Sequence, residues 1–167
     1  IVITQLQPSG YIGYFYAGNS HKQSSLASSN EALALFIDGD ELLSSTTATW
    51  DPLSKEVLNV FSTIAHEFEH MIFYYEKTIS RTSGAQEAEK WLDELAAMMF
   101  QFYYLAADQK DLKQVDGPEY LRVSAWANQP ACQLNTWSGE ESGTCNLEAD
   151  YGKVGSLAAY LLRHYGP

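Results

Sequence analysis

The sequence predicts an α+β fold, a small N-terminal β-rich lobe followed by a mainly helical lobe. Three observations carry that expectation. Residues 1–50 hold aromatic and β-branched runs separated by small polar loops. From residue 51 onward, apolar residues recur at steps of three and four. The two patterns also occupy separate parts of the chain instead of alternating, which segregates strands from helices. No internal repeat is visible, and 167 residues suffice for one domain with a real core, so we divide the chain into lobes over 1–50 and 51–167.

Each element has its own signal. IVITQL opens the chain like a strand in progress, and YIGYFYA is crowded with aromatic and β-branched residues. Between that run and ALALFID lies the aperiodic loop GNSHKQSSLASSN, whose His21 reads as a surface histidine, with substrate contact as the alternative. ALALFID is a short apolar strand ending in DGD, read as a turn because calcium-ligand spacing is absent.

Asp51 and Pro52 suit the cap and first position of a helix. Leu53, Val57, Val60, Ile64, Phe68, Met71 and Tyr75 then mark one amphipathic helix running to about Lys77. TSGA breaks it. A second helix is expected from about Ala85 to Ala107, with Trp91, Leu95, Met98, Met99 and Phe102 on its apolar side. Pro118 starts a third near EYLRVSAWA, and GKVGSLAAYLLRHYG forms a fourth that Gly166 stops.

Composition narrows the function classes. The chain is 46% hydrophobic and 19% charged, as globular proteins are, and no apolar run approaches the length of a membrane span. A net charge of −11, from 10 basic and 21 acidic side chains without a Lys/Arg cluster, argues against nucleic acid and anionic membranes as partners. The chain begins without Met or a basic n-region, so an excised or processed catalytic piece of a longer precursor is expected. Cys132 and Cys145 bracket a short polar loop that closes well as a disulfide, which implies an extracellular or periplasmic setting.

The chemistry concentrates in HEFEH, within STIAHEFEHMIFYYEK. Residues four apart on a helix lie about 40° from each other around its axis, so His66 and His70 present their rings on one face, one turn apart. A single tetrahedral ion can bridge them. Glu67 lies one step round, where a base can lean over the ion without ligating it. The apolar flanks IA and MIFYY strengthen this reading, because buried imidazoles and a carboxylate need partners that a metal supplies.

Catalytic zinc takes three protein ligands and leaves a fourth position to water. Glu76 would fit only if the chain turned back at Phe73, which lacks a glycine's freedom; on an unbroken helix it points about 240° away from His70. The cysteines are assigned to each other. WLDELAAMM remains. A helical hairpin broken at TSGA places His70 and Glu94 each about 12 Å from the turn, which makes Glu94 level with the histidines. Asp93 is the rival, one position and about 100° away. The period through Trp91, Leu95 and Met98 favours Glu94 facing inward.

HEFEH on one helix, followed by the Glu of WLDELA, resembles the gluzincin metallopeptidases. IAHEFEHMI together with WLDELAAMM is most similar to the hyicolysin-like family within that group. The resemblance is most specific over residues 60–105 and weaker over 147–166, and residues 1–50 match only as a small β lobe. Asp93 stands where the group commonly has Asn.

The resemblance implies a thermolysin-like zincin architecture and a secreted endopeptidase acting on protein or peptide. One zinc ion would be held by His66, His70 and Glu94, and would activate a water and polarise the scissile carbonyl. Glu67 would take the water's proton and deliver it to the leaving amine. A strand within ALALFID would align an extended peptide by main-chain pairing. Gluzincins commonly add a Tyr or His that donates to the oxyanion. Tyr151, in DYGKVGSLAAYLL, is the candidate, with His164 competing. Three other readings compete with this one: a zinc hydrolase of a non-peptide amide or ester, a catalytically silent surface binding module stabilised by metal, and a structural domain with no metal.

Overall fold

Three short strands build the only sheet among the described residues. In the computed structural model these residues are 1–6, 11–43, 54–81, 89–108, 118–129, 131–138 and 145–166. The strands β1 (Val2–Thr4), β2 (Gly13–Phe15) and β3 (Leu35–Asp38) lie in the order β1-β3-β2. β1 pairs parallel with β3, placing Ile3 opposite Ile37, and β2 pairs antiparallel with it, placing Tyr14 opposite Phe36. β3 is therefore the central strand, and its Leu35 and Ile37 are buried. This corrects the expectation that ALALFID aligns a peptide: both edges of β3 are taken, and the outer strands are β1 and β2.

DGD does not end in a simple turn. It opens the short helix α1 (Gly39–Leu43). The Asp38 carboxylate explains why, since its Oδ1 accepts the Asp40 N–H at 3.1 Å and so supplies the cap that starts a helix. The same oxygen accepts the Leu6 N–H at 3.3 Å, tying the end of β3 to the segment after β1.

α2 (Lys55–Tyr74) is capped by Ser54, whose hydroxyl accepts the Val57 N–H at 3.3 Å. The Asp51-Pro52 start signal lies outside the described residues. Val57 and Val60 are fully buried, whereas Phe68 and Tyr75, counted in the apolar period, are exposed. The helix passes into one π-helical turn over Tyr75–Ile79, so the helical path ends close to the predicted Lys77. The TSGA break lies outside the described residues.

The chain divides into two compact units, Ile1–Ala85 and Gln86–Pro167. The division falls after α2, not at residue 50, because α2 packs on β2 and β3.

The second unit contains α3 (Lys90–Asp108), α4 (Pro118–Ala127) and α5 (Leu147–Tyr165). Its core joins Leu95 and Met98 of α3 to Val154 and Ala158 of α5, with Trp137 from the preceding loop. Asn146 caps α5 by accepting the Ala149 N–H at 2.9 Å, so the helix starts at Leu147, ahead of the GKVGSLAAYLLRHYG segment expected, and Tyr151 sits in its second turn. Gly152 is required by packing: a Cβ there would run into the Arg122 carbonyl of α4. Gly166 ends α5 as expected, its N–H bonded to the Leu162 carbonyl.

Cys132 and Cys145 form the expected disulfide, with Cα atoms 5.5 Å apart. Its loop is also held from below. Lys153 and Asp150 are both buried, and their ion pair spans 2.5 Å. The Lys153 ammonium donates to the carbonyls of Gln133, at 2.9 Å, and Thr136. The other oxygen of Asp150 accepts the Ser138 N–H at 2.6 Å. Two opposite charges leave water together here because loop carbonyls and an amide satisfy what the pair does not. Among the described residues no helix is long and apolar enough to cross a membrane.

Candidate metal centre

The histidine pair forms as helix geometry requires. His66 and His70 are both buried on α2, and their Nε2 atoms face each other across 3.1 Å. The rings are nearly perpendicular, with an interplanar angle of 80°. Two nitrogens bound to one tetrahedral ion at about 2.05 Å each stand about 3.3 Å apart, so this pair suits a single metal with minimal adjustment. Nitrogen donors on a buried helix face also match zinc's preference.

Glu67 is half-buried one step round the helix, and its environment is set by β2. In the antiparallel pair, Gly13 and Phe15 turn the same face toward α2. A Cβ on Gly13 would lie 3.0 Å from the Thr63 methyl and 2.8 Å from Ile37 Cδ1, so glycine lets the helix settle directly on the strand. One turn beyond Thr63, Glu67 Oε2 accepts the Phe15 N–H at 2.8 Å. Two turns further still, the Tyr74 ring packs against Phe15 at 5.8 Å, and the Tyr74 hydroxyl meets Ser20 Oγ at 3.1 Å. The strand thus grips the helix at three successive levels along one face.

In the second unit, α3 turns Glu94 inward. Its side chain is 3% exposed against 24% for Asp93, which is the orientation the apolar period through Trp91, Leu95 and Met98 predicted. Lys90, one turn earlier, holds Glu94 Oε1 at 2.6 Å. Tyr151 lies against the core of this unit, edge-on to Trp137 at 5.3 Å, with the Arg122 guanidinium 4.5 Å over its ring. His164 is exposed near the end of α5, with its ring tilted against that of Tyr160 at 4.4 Å. His21 is exposed in its loop, as read from the sequence.

Sequence reasoning missed two partners of these residues. The Lys90–Glu94 pair has the i, i+4 spacing that was available to be read. The Phe15 amide had no such signal, because every non-proline residue carries the same N–H and only the tertiary approach of α2 selects this one.

The family model of peptidase M30 matches residues 3–167. No curated protein and no solved structure gives a significant match to the chain. Nearly the whole length is therefore accounted for by one family, and the buried histidine pair on α2 is part of a possible metal site. The chain belongs to the peptidase M30 family, the hyicolysin family of metallopeptidases.

Proposed function

We propose that the chain is a secreted zinc endopeptidase of the gluzincin type, on a thermolysin-like plan, with His66, His70 and Glu94 as the metal ligands. The observation that carries this reading is the His66–His70 pair, two buried imidazole nitrogens 3.1 Å apart in a chain of a metallopeptidase family. Burial of Glu94 in preference to Asp93 supports the third ligand.

Zinc in such a site supplies a Lewis acid that polarises the scissile carbonyl and brings the pKa of its water toward neutrality. Glu67 removes a proton from the attacking water and passes it to the leaving amine. The outer strand β2 aligns the peptide by main-chain pairing through its outward-facing groups other than the Phe15 N–H, which Glu67 occupies. The Tyr151 hydroxyl donates to the oxyanion as charge develops on the carbonyl. Trp137 and Arg122 restrict its ring, which suits a group that must be oriented in advance. The disulfide supports secretion into an oxidising compartment.

Elemental analysis paired with a quenched-peptide assay tests the proposal. One zinc per chain is expected, with cleavage abolished by a chelator and restored by added zinc. Protein that binds no stoichiometric zinc after reconstitution, or that cleaves peptides unaffected by the chelator, would overturn it.

A further inference from the structure

The Phe15 amide donates to the Glu67 carboxylate of HEFEH. Its position is built by the fold at several points. Tyr14 pairs with Phe36 and Ile12 accepts the Asp38 N–H, so the main-chain groups of Tyr14 turn toward β3 and those of Gly13 and Phe15 turn outward. The outward Phe15 N–H then points where α2 passes, and Glu67 Oε2 receives it at 2.8 Å. The Gly13–Thr63 approach and the Phe15–Tyr74 ring contact hold helix and strand in that register on either side.

We propose that Phe15 is a positioning residue for Glu67: its N–H binds one carboxylate oxygen and aims the other at the attacking water. This deepens the general-base role given above and rests on it. Without the bond, a Glu side chain has three rotatable torsions and samples several rotamers. With it, Oε2 is tied to the strand and Oε1 is left to do the proton transfer. Because β2 is also the strand given to the substrate, base and scissile bond take their separation from the same few residues. Misplacing a catalytic group by about 1 Å can cost about 10²-fold in rate, so this tether is large enough to measure.

The test separates the amide from the ring. Phe15→Ala keeps the N–H and loses the Tyr74 contact, which sets the baseline for lost packing. Phe15→Pro removes the N–H as well, and an outer strand tolerates proline where its N–H faces away from the ladder. Replacing residue 15 with phenyllactate, so that an ester oxygen stands for the N–H, keeps the ring and decides the matter should the proline variant not fold. We expect the ester to lower kcat by about 30- to 100-fold, with KM within about twofold and zinc stoichiometry unchanged. Phe15→Pro should fall by the same factor below Phe15→Ala.

A readout independent of turnover is the Phe15 amide proton in metal-free protein. Its hydrogen-exchange protection should drop in Glu67→Ala. An ester form with the parent kcat, or an amide proton indifferent to Glu67→Ala, overturns the proposal. Glu67→Gln distinguishes the two failures: if it retains full kcat, the general-base reading is wrong, whereas an inactive Glu67→Gln beside a fully active ester leaves that reading intact and removes only the tether.

Discussion

Lys90 and Glu94 form an ion pair of 2.6 Å across one turn of α3, with Glu94 buried and Lys90 half in solvent. The pair gives the proposed third ligand a counter-charge before any metal is present. Removing the ammonium should therefore destabilise the metal-free protein more than the zinc-loaded one. For Lys90→Met we expect a loss of about 1 kcal/mol in the metal-free form, limited by the exposure of Lys90. The rise in Tm on zinc addition should grow accordingly. Calorimetry of both forms checks this, and equal losses with and without zinc would contradict it.

Ligand and base should separate cleanly on mutation. Glu67→Gln keeps every ligand and should retain zinc while losing turnover, whereas Glu94→Ala should loosen the metal by at least about tenfold. Competition against a chromogenic chelator measures the affinities. If Asp93→Ala loosens zinc and Glu94→Ala does not, the ligand assignment is wrong by one residue.

Tyr151→Phe should lower kcat by about 10²-fold, with zinc content and folding unchanged, because only the oxyanion donor is lost. Its ring contacts with Trp137 and Arg122 survive in the variant, so thermal stability serves as the control. Near-normal kcat would return Tyr151 to a packing role and direct attention to His164.

Gly152 is where α4 and α5 come into backbone contact, and the Arg122 carbonyl occupies the space a Cβ needs. Gly152→Ala should force the helices apart and cost about 1–3 kcal/mol, despite alanine's higher helix propensity. Denaturant titration gives the sign directly, and a stabilised variant would refute the packing argument.

The disulfide predicts no titratable thiol in denatured, unreduced protein. Reduction should free the loop between Cys132 and Cys145 and lower stability by about 3 kcal/mol on loop-closure grounds. Finding two thiols in material from an oxidising compartment would remove the main support for secretion.

The sequence by itself determined what a helix period encodes. The spacing of His66 and His70 placed both rings on one face, and the period around Trp91, Leu95 and Met98 turned Glu94 inward, because both depend only on the local twist of α2 and α3. The pairing of Cys132 with Cys145 and the stop at Gly166 were legible for the same local reason. Helix starts were less so. Ser54 and Asn146 act as caps that the sequence reading did not single out, since several polar residues can satisfy the same orphan amides and only the final chain path chooses among them.

What the tertiary structure alone decided was non-local. β3 became the central strand although nothing in ALALFID distinguishes a centre from an edge. Lys153, which reads as a polar residue on an amphipathic helix, is buried against Asp150 beneath the disulfide loop. The Phe15 amide reached Glu67 because Gly13 let α2 lie on β2. Strand pairing, buried charge and backbone donors are all settled by which distant segments approach one another, and a hydrogen bond between residues 52 apart leaves no period in the chain to read.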